Sequence, residues 1–384
     1  MPLTAYSQRF AVEMDVRQWM SRIEGQPLDT VDVVNIDARF RPPALQDLRC
    51  PSCEAQGAVL VSAGVGRAGR IVSQATFRFQ DSLGGDAHDP LCDFAGTNDR
   101  SATADGLIDL RASRDPITAI VRRLVCAGLE TSAFSPADMR NMRLWFLGQR
   151  RDARVRLQLD PRIPPVVGQL YRRRTTTVLP YEPAYFNIPG FDLRAAAEER
   201  VLRPYRALLD SLLKSRLIPT ADTVDRAVRL LTQSPGADVF DATILAAHFL
   251  KAAELAHFIA EAYGPLRKCK KRWFNHVYSE PRPALLALAA VLLFVNDWDV
   301  PRAADAFASL ASHEPSDEAA GNLIGLNPFA QWHPVGLIKA LQESTIAINP
   351  NLNIGASVSA ELERMKQEHA AWTQVGTRPP RDRA

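Results

Sequence analysis

The stretch that decides the N-terminal fold is RCPSCEAQGAVLVSAGVGRAGRIVSQATFRF, residues 49–79. It carries a Cys-x-x-Cys pair, Cys50 and Cys53, and a Gly-x-Gly-x-x-Gly pattern formed by Gly64, Gly66 and Gly69. The cysteine pair is typical of a metal site, whereas the glycine pattern is typical of a nucleotide-binding turn. The two patterns therefore predict different chemistry.

The glycine pattern lacks the context that nucleotide binding needs. In a dinucleotide-binding unit the glycines join a strand to a helix, whose N-terminus then faces the pyrophosphate. A strand is predicted before the glycines, in GAVLVSA (57–63), but the residues after Gly69, RIVSQATFRF, alternate as a second strand does. We therefore expect a glycine-rich hairpin and not a nucleotide site.

The cysteine pair gains two further ligands beyond the hairpin, in GGDAHDPLCDF. The complete set would be Cys50, Cys53, His88 and Cys92. Three thiolates and one imidazole complete the tetrahedron that zinc prefers and leave no open position, so the sequence predicts a structural Zn²⁺. The 34-residue insert between the pairs is no obstacle. Doubling a loop costs only about 0.6 kcal/mol, against about 10–16 kcal/mol from structural zinc binding.

Two alternatives stay open at this point. The four residues could be unrelated buried cysteines and a surface histidine. Asp86 or Asp93 could also replace one of the ligands, although carboxylate oxygen is a poorer match beside thiolates.

The order of the motifs resembles that in the N-terminal zinc ribbon of the competence protein CoiA-like family: CPSC, then a hairpin, FRF and HDPLCDF. The resemblance covers residues 48–94. The paired histidines around the aromatic in that family are replaced by Phe77, Arg78 and Phe79, and the downstream nuclease constellation is not found. The resemblance implies a nucleic-acid setting and does not imply an activity.

Composition places the chain among ordinary globular proteins, with 46% hydrophobic and 23% charged residues in 384. The five cysteines are an odd and sparse set, and residues 1–19 do not resemble a signal peptide, so we expect a cytoplasmic protein. The longest apolar run, residues 284–295, has 12 residues where a membrane span needs about 20, and predicts a core helix and no membrane partner. Neither a Gly-x-Ser-x-Gly elbow nor a P-loop occurs, so the sequence leaves enzymatic activity undecided.

The predicted fold class is α+β. We expect an α+β domain at residues 1–180 with a zinc ribbon at 48–94, a proline-rich linker at 181–190, an all-helical domain at 191–375 and a disordered tail at 376–384. TVDVVNID (30–37) is predicted as a further strand. Asp115-Pro116 and Ser135-Pro136 are helix-start signals in the first domain.

Arginines concentrate between residues 111 and 174, where 14 of them face five acidic residues. Arginines on one face would form a phosphate-binding surface. The alternative is that they only face solvent and bind no ligand. The arginines predicted to contact phosphate are Arg150, Arg151, Arg154, Arg172, Arg173 and Arg174.

We expect a zinc-containing nucleic-acid-binding or accessory protein, of the kind that serves mobile-element or phage-defence systems. The alternative is a helical scaffold for a protein partner, stapled by zinc, and a third reading is a divergent nuclease.

Overall fold

The computed structural model describes residues 2–67, 70–95, 106–110, 115–174, 181–269, 281–315 and 324–376. The helices are α1 (Val16–Glu24), α2 (Arg41–Asp47), α3 (Pro116–Glu130), α4 (Pro136–Asp152), α5 (Ile163–Arg172), α6 (Leu193–Leu202), α7 (Arg206–Lys214), α8 (Ala221–Gln233), α9 (Ala246–Ala262), α10 (Gly264–Lys268), α11 (Pro283–Val295), α12 (Val300–Ala311), α13 (Trp332–Gln342) and α14 (Ile354–Gly376). The fold is therefore mixed, with small sheets early in the chain and helices later.

The strands form small antiparallel sheets. They are β1 (Thr4–Ser7), β2 (Val12–Asp15), β3 (Leu48–Arg49), β4 (Ala58–Val61), β5 (Gly64–Val65), β6 (Ile71–Ser73), β7 (Thr76–Phe79), β8 (Leu107–Asp109), β9 (Arg154–Arg156), β10 (Asp238–Phe240) and β11 (Ile324–Leu326). The largest sheet has the order β2-β1-β3. Two-stranded sheets pair β4 with β7, β5 with β6, β8 with β11 and β9 with β10.

The chain divides into two compact units. The first comprises Met1–Arg154 and Phe240–Trp332, and the second comprises Val155–Val239 and His333–Ala384. This division does not follow the predicted boundary, because residues 181–190 lie inside the second unit. The prolines that predicted a linker instead begin a short 3-10 helix, Pro183–Asn187, and Tyr181 is buried with its hydroxyl donating to the Met365 carbonyl. The predicted tail, apart from Gly376, lies outside the described residues.

The first unit begins with a sheet and helix tied together by one carboxylate. Asp47 accepts hydrogen bonds from the Ser7 hydroxyl at 2.6 Å and from the Trp19 indole at 2.7 Å. Trp19 is fully buried, and Asp15 caps α1 through a capping box with Gln18. The carboxylate therefore satisfies the polar atoms that burial of the tryptophan and of Ser7 would otherwise orphan.

Two strand pairs form one nested hairpin between residues 58 and 79. The inner pair is β4 and β7, in register from Ala58↔Phe79 to Val61↔Thr76, and its Phe77 and Phe79 are buried. The outer pair is β5 and β6. Strand β6 follows the glycine pattern where a nucleotide fold would have a helix, and it pairs antiparallel with β5. Gly69, the last glycine of the pattern, lies outside the described residues.

The predicted strand at residues 30–37 is wrong. Pro27 precedes a 3-10 turn, Leu28–Thr30, and the Asp32 carboxylate then accepts hydrogen bonds from the backbone of Val34 and Asn35. A side chain that binds the backbone two and three residues on closes a turn, which competes with strand pairing. Val31 and Val33 are buried all the same, which explains the apolar pattern.

Helix α11 is the core of the helical part of the first unit. Its residues from Ala284 to Leu293 are all buried, so the predicted core helix is confirmed. By length and apolarity, residues 242–262 could cross a membrane, and α11 with α12 could form a second span, although the two meet at 113°. Helix α9 packs against both α11 and α12, which is the arrangement of a core helix.

The second unit is helical apart from the short strands β9 and β10. Helix α14 packs along α6, where Arg200 donates to Glu361 at 3.1 Å and Glu368 at 2.9 Å. Helix α5 packs on α8, and a Cβ added at Gly168 would lie 3.1 Å from Val224. The absence of a side chain at that glycine lets the two helices approach closely.

Candidate metal centre

Four side chains converge in the first unit. One ligand atom from each lies within 4.8 Å of all the others, and the four residues are Cys50, Cys53, His88 and Cys92. The Cys50 and Cys92 sulfurs are 3.8 Å apart, and the Cys53 sulfur lies 3.4 Å from Nδ1 of His88. Bond lengths of about 2.3 Å to sulfur and 2.0–2.1 Å to nitrogen give tetrahedral edges of about 3.8 Å and 3.6 Å. The two distances match those edges.

The first pair sits in a tight turn directly after β3. The Glu54 amide donates to the Cys50 carbonyl at 3.0 Å, and the Ser52 amide donates to the Cys50 sulfur at 3.4 Å. Closing this turn places Glu54 in the left-handed region, at φ 61°, which few residues other than glycine adopt readily. The turn points both sulfurs to the same side, as chelation of a single ion requires.

The second pair is held by a different local structure. The Asp86 carboxylate accepts from the His88 amide at 3.0 Å, and Asp89 accepts from the Leu91 amide at 2.8 Å. The Phe94 amide then donates to the Cys92 sulfur at 3.4 Å. Each half of the centre therefore aims a backbone N–H at a sulfur, an arrangement that favours thiolate.

The thiols influence each other's ionisation. Burial raises the pKa of Cys50, and hydrogen bonding to Cys50 and Cys53 raises the pKa of Cys92. Hydrogen bonds from Cys50 and Cys92 lower the pKa of Cys53. Three thiolates at this spacing would repel one another, and a cation between them would offset that repulsion.

Two of the four ligands are buried, and aromatic rings pack against a third. Cys50 and Cys92 are buried, at 0% and 1% exposure. The His88 ring meets Phe79 edge-on, with centroids 5.3 Å apart, and Phe94 at 6.3 Å. Four protein ligands would complete a tetrahedron and leave no open position, so such a site can hold an ion as a structural element.

Helix α4 braces both halves of the centre through two buried arginines. Arg143 pairs with Glu13, and its Nε lies 3.4 Å from the Pro51 carbonyl oxygen in the first turn. Arg150 lies seven residues later, two helical turns along the same face. Its Nη1 is 2.7 Å from both Asp93 and the Leu91 carbonyl oxygen in the second turn. One helix therefore holds two segments that are about 40 residues apart in the chain.

The prediction that Arg150 contacts phosphate is corrected by this geometry. Only 7% of its side chain is exposed, it pairs with Asp93, and it covers the Phe146 ring at 4.4 Å. Arg151 is exposed but pairs with Asp89, between His88 and Cys92. Arg150 and Arg151, at the end of α4, face the metal centre because their partners Asp93 and Asp89 lie in the segment that carries His88 and Cys92.

The other predicted phosphate-binding arginines are placed differently. Arg154 and Arg172 are exposed. Arg173 pairs with Glu198 at 2.6 Å, and Arg174 lies 3.6 Å above the Tyr171 ring. Contact of Arg151, Arg154, Arg172, Arg173 and Arg174 with phosphate stays a prediction.

Sequence reasoning missed the buried partners of the centre. Asp93 appeared as a substitute ligand, but its carboxylate binds Arg150, while that of Asp86 binds the His88 amide. The role of Glu13 could not be predicted from the sequence, because it pairs with Arg143 from a strand 130 residues away in the chain. The spacing of Arg143 and Arg150 was the one available sign of a shared helix face.

No family model matches the chain, and neither the curated proteins nor the solved structures contain a significant match. The resemblance to the CoiA-like zinc ribbon therefore stays a prediction.

Proposed function

We propose that this protein binds one structural Zn²⁺ through Cys50, Cys53, His88 and Cys92 and acts as a nucleic-acid-binding or accessory protein. The observation that carries the metal assignment is the convergence of the four ligand atoms within 4.8 Å. Three sulfurs favour zinc over the hard cations Mg²⁺ and Ca²⁺, which prefer oxygen. The ion would hold the nested hairpin, as a zinc ribbon does, with α4 behind it.

A nucleic-acid partner is supported by exposed arginine and not by total charge. The chain as a whole is nearly balanced, with 46 basic and 43 acidic residues. Exposed arginines are present at Arg154 and Arg172 and also on the nested hairpin beside the centre. Arginine presents a planar set of donors that matches phosphate oxygens.

The metal assignment is tested by metal analysis of the full chain, purified without added metal. We expect about one zinc per chain for the wild type and for the Cys126→Ala control, whose thiol is fully buried in α3. Cys92→Ser should lose most of the metal, because a neutral hydroxyl replaces a thiolate ligand. Equal zinc in the Cys92→Ser variant, or no zinc in the wild type, would reject the assignment.

The nucleic-acid part is tested by retention of the zinc-loaded protein on DNA. Phosphate contacts release counterions, so affinity should fall steeply between low and moderate salt. Failure to bind duplex or single-stranded nucleic acid at low salt would reject this part of the proposal and leave the zinc assignment intact.

One observation favours a second candidate, a scaffold for a protein partner. On the second unit, Phe186, Ile188 and Trp372 are exposed at 39%, 51% and 45%. The rings of Phe186 and His369 stack at 4.3 Å, and His369 stacks on Trp372 at 6.0 Å. Binding of a protein and not of nucleic acid, lost in a Phe186→Ser/Trp372→Ser variant, would favour this candidate.

A further inference from the structure

The segment between the two halves of the metal centre has a charge pattern unlike that of the whole chain. Residues 55–80 contain no aspartate, glutamate or lysine, and their only charged residues are Arg67, Arg70 and Arg78. Acidic residues resume immediately outside, at Glu54 and Asp81. The nested hairpin is therefore uniformly positive, which is the charge complement of a polyanion.

The three arginines are exposed, and within the residues that the structure describes their side chains make no ion pair, hydrogen bond or ring contact. This separates them from the arginines of α4. Arg140, Arg143, Arg150 and Arg151 all pair with carboxylates. The hairpin arginines are thus the ones near the centre that keep all their donors for a ligand.

Exposed apolar side chains accompany these arginines on the outer hairpin, which we define as residues 64–67 and 70–73. Val65, Ile71 and Val72 are exposed at 45%, 51% and 72%. Three branched apolar residues on a two-stranded ribbon are a liability for an edge that stays in water. Their position beside arginines suggests a surface that becomes covered when a ligand binds.

Two glycines make the outer hairpin thin. A Cβ at Gly64 would lie 2.4 Å from the Ser73 hydroxyl oxygen, and one at Gly66 would lie 2.8 Å from a methyl of Val72. The side chains of β6 thus lie against Gly64 of β5 and against Gly66, which follows that strand. Two paired strands are about 4.8 Å apart, and the major groove of B-DNA, about 12 Å wide, admits a two-stranded ribbon.

We infer that the outer hairpin enters the major groove of duplex DNA, with Arg67, Arg70 and Arg78 on phosphates and Val65, Ile71 and Val72 against base edges. Thymine methyl groups offer apolar contacts there. Duplex RNA is excluded as an equal ligand because its major groove is deep and narrow. This inference rests on the proposed function and adds the surface and the nucleic-acid form.

The metal centre fixes the base of the hairpin. Phe79 of β7 packs on the ligand His88. The residue before it in the strand, one step nearer the outer hairpin, is Arg78. Backbone hydrogen bonds continue the link, since the Ala87 amide donates to the Phe79 carbonyl at 3.1 Å. An ion that immobilises His88 would therefore also immobilise the strand that presents Arg78.

The test measures anisotropy of a labelled duplex DNA with the zinc-loaded full chain. Arg67→Gln/Arg70→Gln/Arg78→Gln should weaken binding on the order of 10- to 100-fold at low salt and reduce the slope of log affinity against log salt by about 2 to 3. Replacement of the same residues by lysine should retain binding within a few-fold, because the number of neutralised phosphates remains the same. The matched control replaces three exposed arginines outside both the hairpin and the predicted phosphate contacts, Arg203→Gln/Arg216→Gln/Arg229→Gln, and should bind as the wild type does.

The outcomes separate the inference from the proposed function. Wild-type binding that persists in the hairpin glutamine variant overturns the inference alone, and so does loss of binding in the control variant only. Equal affinity for duplex RNA or single-stranded DNA overturns insertion into the groove.

Self-association that Val72→Ser abolishes would overturn the inference by showing that the apolar face joins two copies of this chain. A wild type that binds no nucleic acid overturns the inference and the nucleic-acid part of the proposed function together, and unchanged zinc in the hairpin variants excludes misfolding as the cause.

Discussion

Arg150 and Asp93 form a 2.7 Å ion pair with only 7% and 5% of their side chains exposed, next to the ligand Cys92. Burial raises the pKa of Asp93, and the nearby Arg150 opposes that rise. The two charges depend on each other, because a buried carboxylate loses its hydration and, without a cationic partner, no interaction offsets that cost in free energy.

Arg150→Ala should destabilise the first unit by about 3–5 kcal/mol, since it leaves the Asp93 carboxylate buried and unpaired. Arg151→Ala is the matched control, because its pair with Asp89 is exposed and should be worth at most about 1 kcal/mol. Urea unfolding of both variants measures the difference. In the double variant Arg150→Met/Asp93→Asn much of the loss should be recovered, and equal losses for Arg150→Ala and Arg151→Ala would contradict the assignment.

Gly57→Ala should be far more damaging than Gly84→Ala, although both glycines have positive φ, at 83° and 80°. A Cβ at Gly57 would lie 1.9 Å from the Gln80 carbonyl oxygen, whereas a Cβ at Gly84 would meet nothing within 4 Å. Gly84→Ala should therefore cost about 1–2 kcal/mol for its backbone conformation. Gly57→Ala should cost more, because the inner strand pair must also move apart.

Thermal unfolding of the two alanine variants, with zinc content measured in parallel, checks this difference. Similar melting temperatures would show that the close approach between Gly57 and Gln80 relaxes without cost.

Stability should fall as pH falls from 7 towards 4, because of His333. Both ring nitrogens of His333 are buried, and burial lowers its pKa to about 4, with a smaller contribution from Arg226. Between that value and the unfolded pKa of about 6.5, the unfolded chain binds a proton that the folded chain does not. The stabilisation is therefore complete above pH 6.5 and is lost on acidification, to an extent of about 2–3 kcal/mol.

Unfolding free energies of the wild type and of His333→Gln at neutral and mildly acidic pH measure this contribution. The variant should show a smaller pH dependence than the wild type. An unchanged pH dependence would assign the acid sensitivity to other groups.

The sequence predicted those parts of the fold that depend on local pattern. The caps Asp115 and Ser135, the all-apolar α11 and the hairpin that follows Gly64 all appear as expected, because each depends on residues within a few positions. The strand at 30–37 failed because the Asp32 side chain competes with pairing, which alternation does not reveal.

Contacts distant in the chain could not be predicted in the same way. The metal ligands could be grouped because cysteine and histidine are rare and their chemistry is selective. Glu13 and Arg143 are common residues whose pairing depends on how a strand meets α4. The division into units likewise depends on residues 240–332 returning to the first unit, a tertiary event that no composition change marks.

The inner strand pair closes at Val61↔Thr76, and the buried residues Ala63 and Ala75 follow it, so the outer hairpin lies beyond the residues that pack around the ligands. Insertions there add only the slowly growing entropy of a longer loop, about 0.6 kcal/mol per doubling. The length and sequence of the outer hairpin can therefore change while the ligands keep their positions. Another recognition segment could therefore replace the outer hairpin, and the metal affinity should remain the same.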